Sequence, residues 1–245
     1  TGSPELPKFD AVLRESVSTT LNIDLGDDRW TQASLPVRWG GLGIRSVVSL
    51  APSAYLASAA STEELTSSLL PTRLRDVVDS GIATAMSAWS QLGTSPSTTS
   101  TAPSPPASPV QRTWDNRCCE VQADLLLAAA ADEVERARLL ASRAPGSGDW
   151  LDALPLSSIG LKMVNATVRI AAGLRLGAPI VRPHKCVCGS MVEVNGHHGL
   201  SCRRGSGRHS RHNQVNDLLC RALNSAGAYA TRELHSLCGR NDKRP

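Results

Sequence analysis

Residues 114–144 read WDNRCCEVQADLLLAAAADEVERARLLASRA, and their spacing decides the fold class. Trp114, Cys118, Val121, Leu125 and Ala128 recur at intervals of three and four, the period of an amphipathic helix. Ala, Leu, Arg and Glu fill much of the remainder, and such side chains lose little freedom on entering a helix. The spacing predicts one helix over 114–144, ended by Pro145, Gly146, Ser147 and Gly148. The whole chain agrees, because aromatics make up only 3% of its 245 residues and Ala, Leu and Ser abound. Strands draw instead on Val, Ile and aromatic side chains. A mainly α protein is expected.

Moving outward, Asp149 is placed to cap a short helix carrying Trp150, Leu151 and Leu154. An apolar helix is expected over 161–176, stopping before Gly177 and Pro179. On the other side, residues 93–109 read GTSPSTTSTAPSPPASP, with no hydrophobic period. Such a segment buries too little apolar surface to offset its ordering entropy, so a disordered Ser/Thr/Pro linker is expected over 93–110. Before it, residues 9–22 read as a helix with Phe9, Val12, Leu13 and Val17 on one face, and 24–28 as cap and turn. LPVRWGGLGIRS, residues 35–46, marks a sharp change of backbone at Pro36, Gly40 and Gly41, anchored by Leu42 and Ile44. Helices follow over 49–60 and 71–92, the latter with Leu74, Val77, Val78, Ile82 and Met86 inward. Nothing up to Val181 carries evident chemistry.

Residues 186–202 read CVCGSMVEVNGHHGLSC. Three potential thiolates, Cys186, Cys188 and Cys202, together with one imidazole make the closed four-ligand set of a structural zinc ion. Gly189, Gly196 and Gly199 suit the tight turns that would bring these ligands onto one ion. Too few apolar residues lie here for a core, so a bound metal would supply most of the local folding energy. The single residue between Cys186 and Cys188 is shorter than the usual two to four. His198 gives the spacing C-x-C-x9-H-x3-C and His197 gives C-x-C-x8-H-x4-C, with His184 a third candidate. Cys118, Cys119, Cys220 and Cys238 lack such neighbours and read as small buried hydrophobes.

Directly after Cys202 come Arg203, Arg204, Arg208, His209, Arg211 and His212, then an apolar helical face of Val215, Leu218, Leu219 and Leu223. Basic side chains at the N-terminal end of a helix add to a macrodipole that already favours anions. From residue 182 to 245 there are 11 Lys/Arg against 4 Asp/Glu, whereas residues 1–181 carry 15 against 18. The positive charge is thus concentrated where it could displace counterions from a phosphate backbone, through Arg203, Arg204, Arg208, Arg211 and His212. A solvated charged surface is the plainer reading of the same run. Residues 229–237 read as a strand. Seven cysteines do not form a fully paired disulfide framework. The start (Thr1, Gly2, Ser3, Pro4) has neither the basic segment nor the apolar core of a signal peptide, and no stretch approaches the ~18 apolar residues of a membrane span. A reducing compartment and no membrane partner are expected.

Three motifs, in this order, carry a family resemblance. LPVRWGGLGIRS resembles the segment that follows the palm, in the thumb region, of non-LTR retrotransposon reverse transcriptases. CVCGSMVEVNGHHGLSC resembles the Cys-Cys-His-Cys knuckle downstream of the polymerase in elements with a restriction-like endonuclease. RHN at Arg211 to Asn213, with NDKRP at 241–245, resembles the start of that endonuclease. The resemblance covers nearly the whole chain. It implies a thumb-like helical region over 1–92, a helical linker domain over 111–181, a zinc knuckle over 182–204 and a truncated α/β endonuclease start over 205–245. It favours His198 as the ligand beside Cys186, Cys188 and Cys202, and one structural zinc ion. It also implies DNA or RNA and the remainder of a parent polyprotein as partners, with the nucleus expected for a full-length parent. The family's paired palm aspartates have no counterpart here, since Asp27 and Asp28 precede the thumb-like motif at a helix start. The endonuclease's Pro-Asp would begin at Pro245. No catalytic residue is therefore expected, although the parent would be an RNA-directed DNA polymerase with nuclease activity. Two other classes suit the same residues: a stand-alone zinc-binding nucleic-acid module, or an inert pseudogene product or helical interaction domain.

Overall fold

The computed structural model describes residues 2–94, 105–106, 109–205 and 207–231. Among them are ten helices and one two-stranded sheet, so the architecture is mainly α. Packing divides the chain into two units, Thr1–Asp152 with Val168–Ala178, and Ala153–Thr167 with Pro179–Pro245. Most of the expected linker, including 95–104, lies outside the described residues. No described helix is long and apolar enough to cross a membrane.

The first unit holds α1 (Glu5–Leu21), α2 (Asp27–Ser34), α3 (Val47–Leu69), α4 (Thr72–Leu92), α5 (Gln111–Ala128), α6 (Glu133–Arg143) and α7 (Asp149–Asp152). It also takes α8 (Asn165–Leu176) from Val168 onward. Helices from both sides of residues 93–110 share its cores. Leu56 and Ala57 of α3, Ala85 and Trp89 of α4, and Trp114 and Cys118 of α5 form one cluster. The two indoles meet edge to face at 5.2 Å, and Trp89 Nε1 donates to the Trp114 carbonyl at 3.0 Å. Burying both rings while satisfying that donor joins α4 to α5. Ile23, Leu25, Ala33, Ala172, Leu176 and Ala178 form a second cluster, which joins α2 to α8.

The stretch 35–46 organises this unit through both packing and backbone: Leu35 is buried with Cys119 and Ala123, and Trp39 packs against that cluster. Gly40 is left-handed (φ 90°), and a Cβ on Gly41 would lie 1.9 Å from the Leu35 carbonyl oxygen. Only glycine fits there. The carbonyls this turn exposes inward are collected by Arg175 of α8. Its guanidinium donates to Gly41 O (3.0 Å), Val37 O (2.8 Å), Ser142 O (3.1 Å) and Ser147 O (3.1 Å). Gln32 Nε2 adds bonds to the Gly40 and Arg175 carbonyls, each 3.0 Å. Arg175 is 7% exposed, and burial, then the nearby Arg138 cation, lowers its pKa.

Several expectations are corrected. The helix over 114–144 is two helices, because Asp132 accepts the Glu135 N–H at 2.7 Å and starts α6 anew. Phe9 and Val12 are 55% and 68% exposed, while Asp10 between them is buried. Asp10 accepts from Ser46 Oγ (2.6 Å) and the Val47 N–H (2.8 Å), capping α3 from another helix. Leu74 and Val77 are exposed, and only Ile82 and Met86 of the inward set pack against the Trp89 cluster. Leu154 is exposed.

The second unit holds a single 3-10 turn at Ser157–Ile159, β1 (His184–Lys185), β2 (Met191–Val192), α9 (His197–Ser201) and α10 (Gly207–Ser225). Only Val192 and Cys202 are buried among its described residues. Val215, Leu218, Leu219 and Leu223 of α10 are exposed. Residues 229–231 are not in a strand, and the rest of the strand expected over 229–237 lies outside the described residues, as do 241–245.

Candidate metal centre

Two short elements present the ligands. β1 and β2 pair antiparallel, His184 opposite Val192 and Lys185 opposite Met191. The turn between them carries Cys186 and Cys188. Gly189 N–H donates to the Cys186 carbonyl (2.8 Å) and Cys186 N–H to the Ser190 carbonyl (2.9 Å). Gly189 closes that turn at φ 91°, which a residue with a Cβ rarely adopts. One intervening residue suffices because the turn itself swings both thiols to one side.

The other elements follow another left-handed glycine. Gly196 (φ 68°) starts α9, whose second residue is His198 and whose C-cap is Cys202. Cys202 N–H donates to the His198 carbonyl at 2.8 Å, which fixes these two ligands one helical turn apart.

The ligand atoms of Cys186, Cys188, His198 and Cys202 all lie within 4.8 Å of one another. Cys186 Sγ and Cys202 Sγ are 3.6 Å apart, and Cys188 Sγ is 3.2 Å from His198 Nε2. A tetrahedral ion with Zn–S ≈ 2.3 Å and Zn–N ≈ 2.0 Å would separate such pairs by about 3.8 Å and about 3.5 Å. The donor set fits a four-coordinate metal ion. His197, one residue earlier, is outside this group. His184 is turned to the backbone two residues earlier, with Nδ1 2.8 Å from the Arg182 carbonyl.

The electrostatics lower two of the three thiols and raise the third thiol and the imidazole. Ser190, through its side chain and then its backbone, pulls the Cys188 thiol down to about 6. The Cys186 thiol is lowered by the Cys188 backbone and then by His198. His198 is raised, first by the Cys186 thiol and then by Cys188. At Cys202 the Arg204 backbone lowers the thiol, but burial and the Cys186 and Cys188 thiols together raise it. Ser190 was not among the residues singled out from the sequence. Its signal is a small polar residue directly after the turn glycine.

Of the basic residues, Arg203 and Arg204 follow Cys202 at once and are exposed. His212 is exposed on α10, its Nε2 3.0 Å from Asn216 Nδ2. The side chains of Arg208 and Arg211 lie outside what the structure describes, although their backbone is in α10. Cys118 and Cys119 are buried as expected, and burial raises both thiols, Cys118 to about 11. Cys220 is only half-buried, and Cys238 is outside the described residues.

No protein-family model, curated protein or solved structure matches this chain.

Proposed function

We propose that Cys186, Cys188, His198 and Cys202 bind one structural zinc ion, and that the resulting knuckle presents basic side chains to nucleic-acid phosphates. The observation that carries this reading is a closed four-ligand group followed at once by exposed Arg203 and Arg204. Zinc suits three sulfurs and one nitrogen with no open position, a structural rather than a catalytic set. The knuckle would hold the arginines close to the N-terminal turns of α10, where the macrodipole also favours anions. The order of the thumb-like LPVRWGGLGIRS, the knuckle and RHN supports a place in a non-LTR retrotransposon polyprotein. On that reading the chain is an accessory nucleic-acid-binding part of an RNA-directed DNA polymerase and endonuclease. No residue is assigned a catalytic role.

Binding to duplex DNA at several salt concentrations, with and without chelator, tests the proposal. If Arg203, Arg204, Arg208 and Arg211 neutralise about four phosphates, the log–log salt slope is roughly −3 to −4. Changing all four to Gln flattens the slope and weakens unrelated sequences alike, since backbone contacts carry no direct base information. Chelation weakens binding. Affinity that is insensitive to chelator, or a slope unchanged by the substitutions, contradicts the proposal.

A further inference from the structure

We infer that the metal centre is a thiol switch, in which peroxide joins Cys186 to Cys202 and expels the metal ion. The inference rests on the zinc-binding reading above. Its own ground is the arrangement of the sulfurs. Cys186 Sγ and Cys202 Sγ are 3.6 Å apart, one in the β1–β2 turn and the other at the C-cap of α9. A disulfide needs about 2.05 Å between sulfurs, so the pair must close by about 1.5 Å. Cys186 and Cys188 share one turn across a single residue, so bridging them would close a small ring over the Gly189 and Ser190 backbone bonds. Both other pairs cross to Cys202, and Cys186–Cys202 is the bond assigned because those two sulfurs are in contact at 3.6 Å.

Access separates the roles of the two sulfurs. Cys186 is half-buried beside the 84%-exposed Val187, while Cys202 is buried. Cys186 thiolate attacks one oxygen of hydrogen peroxide, the O–O bond breaks, and hydroxide leaves a sulfenic acid behind. Cys202 thiolate then attacks that sulfur, the S–S bond forms, and a second hydroxide leaves. The two sulfurs are oxidised by two electrons in all, and peroxide is reduced to hydroxide, which becomes water on taking up protons. Cys188 and His198 are left as the only two ligands, too few to hold zinc in a closed site. Thiol reductant and fresh zinc reverse the change.

The full chain, loaded with zinc and freed of excess metal, is titrated with hydrogen peroxide. Released zinc is followed with a chromogenic chelator, and the disulfide is mapped by mass spectrometry of the digested protein. The expected result is one equivalent of zinc released per chain, in step with a Cys186–Cys202 linked peptide, both reversed by reductant and zinc. Zinc retained under peroxide, or released with a different bridge or with sulfinic acid instead, overturns the switch but leaves the zinc site standing. A chain that holds no zinc before oxidation overturns both. Cys220→Ser, outside the cluster, should leave release and bridge unchanged.

Discussion

The two units of this chain keep their shape by different means. In the first, buried side chains and one caged cation do the work: Trp89 against Trp114, Leu176 against Ala33, and Arg175 among four carbonyls. In the second, Val192 and Cys202 are the only buried residues described, and four ligand atoms converge instead. Burial at roughly 25 cal/mol per Å² holds a helical unit together, but two buried side chains cannot offset the entropy of ordering a segment this long. A structural zinc ion brings about 10–16 kcal/mol in small peptides, so it can. On the proposed zinc reading, one chain combines a unit held by packing with one held by a ligand.

Substitutions that strike one unit only should break that comparison if it is wrong. The largest effect is expected from Gly41→Ala, whose Cβ would lie 1.9 Å from one backbone oxygen and 2.5 Å from another. Neither is a movable side-chain tip, so a loss above about 4 kcal/mol is expected in urea unfolding followed by tryptophan fluorescence. Zinc content stays at one per chain. Arg175→Met comes next, leaving buried carbonyls without a donor, at a cost of roughly 3–5 kcal/mol by the same measurement. Again the metal is retained. Loss of zinc from either variant would mean that the units are not independent.

Within the second unit, paired histidine variants sharpen the contrast. His198→Ala should weaken zinc by more than the roughly 10–100-fold that losing an outer-shell partner costs, measured by competition with a chelator of known affinity. Ser190→Ala removes such an outer partner of Cys188, and a loss within that 10–100-fold range is expected. His197→Ala should change nothing. None of the three should move the urea transition of the first unit.

How much of this could be read beforehand differs between the units as well. Helical period placed α1 and α4, while composition placed α8 and the first half of α3, which runs on to Leu69. Period did not determine which face turned inward. Phe9 and Val12 are exposed because Asp10 is needed across the fold to cap α3, a partnership between residues far apart in sequence. The break before α6 was hidden under the run of alanines at 128–131, whose propensity favours continuation, although Asp132 and Glu135 have the spacing of a cap. Arg175 gave no sign of its role, since its acceptors are backbone oxygens that any residue supplies. The metal cluster was the most legible part. Cys and His carry their chemistry in their identity, and Gly189 and Gly196 marked the turns, whereas Gly199 lies within α9. Between His197 and His198, spacing alone left the choice open, and the C-capping of α9 by Cys202 brings His198 into the cluster.

The central claim is that metal holds the second unit and packing holds the first. Hydrogen exchange on the zinc-loaded chain, repeated after chelation has brought zinc content to zero, tests it most directly. The account predicts that amides of 184–205 lose their protection, Cys186 and Cys202 among them, while those of α3, α4 and α5 exchange as before. Protection of 184–205 that survives complete removal of the metal would contradict it.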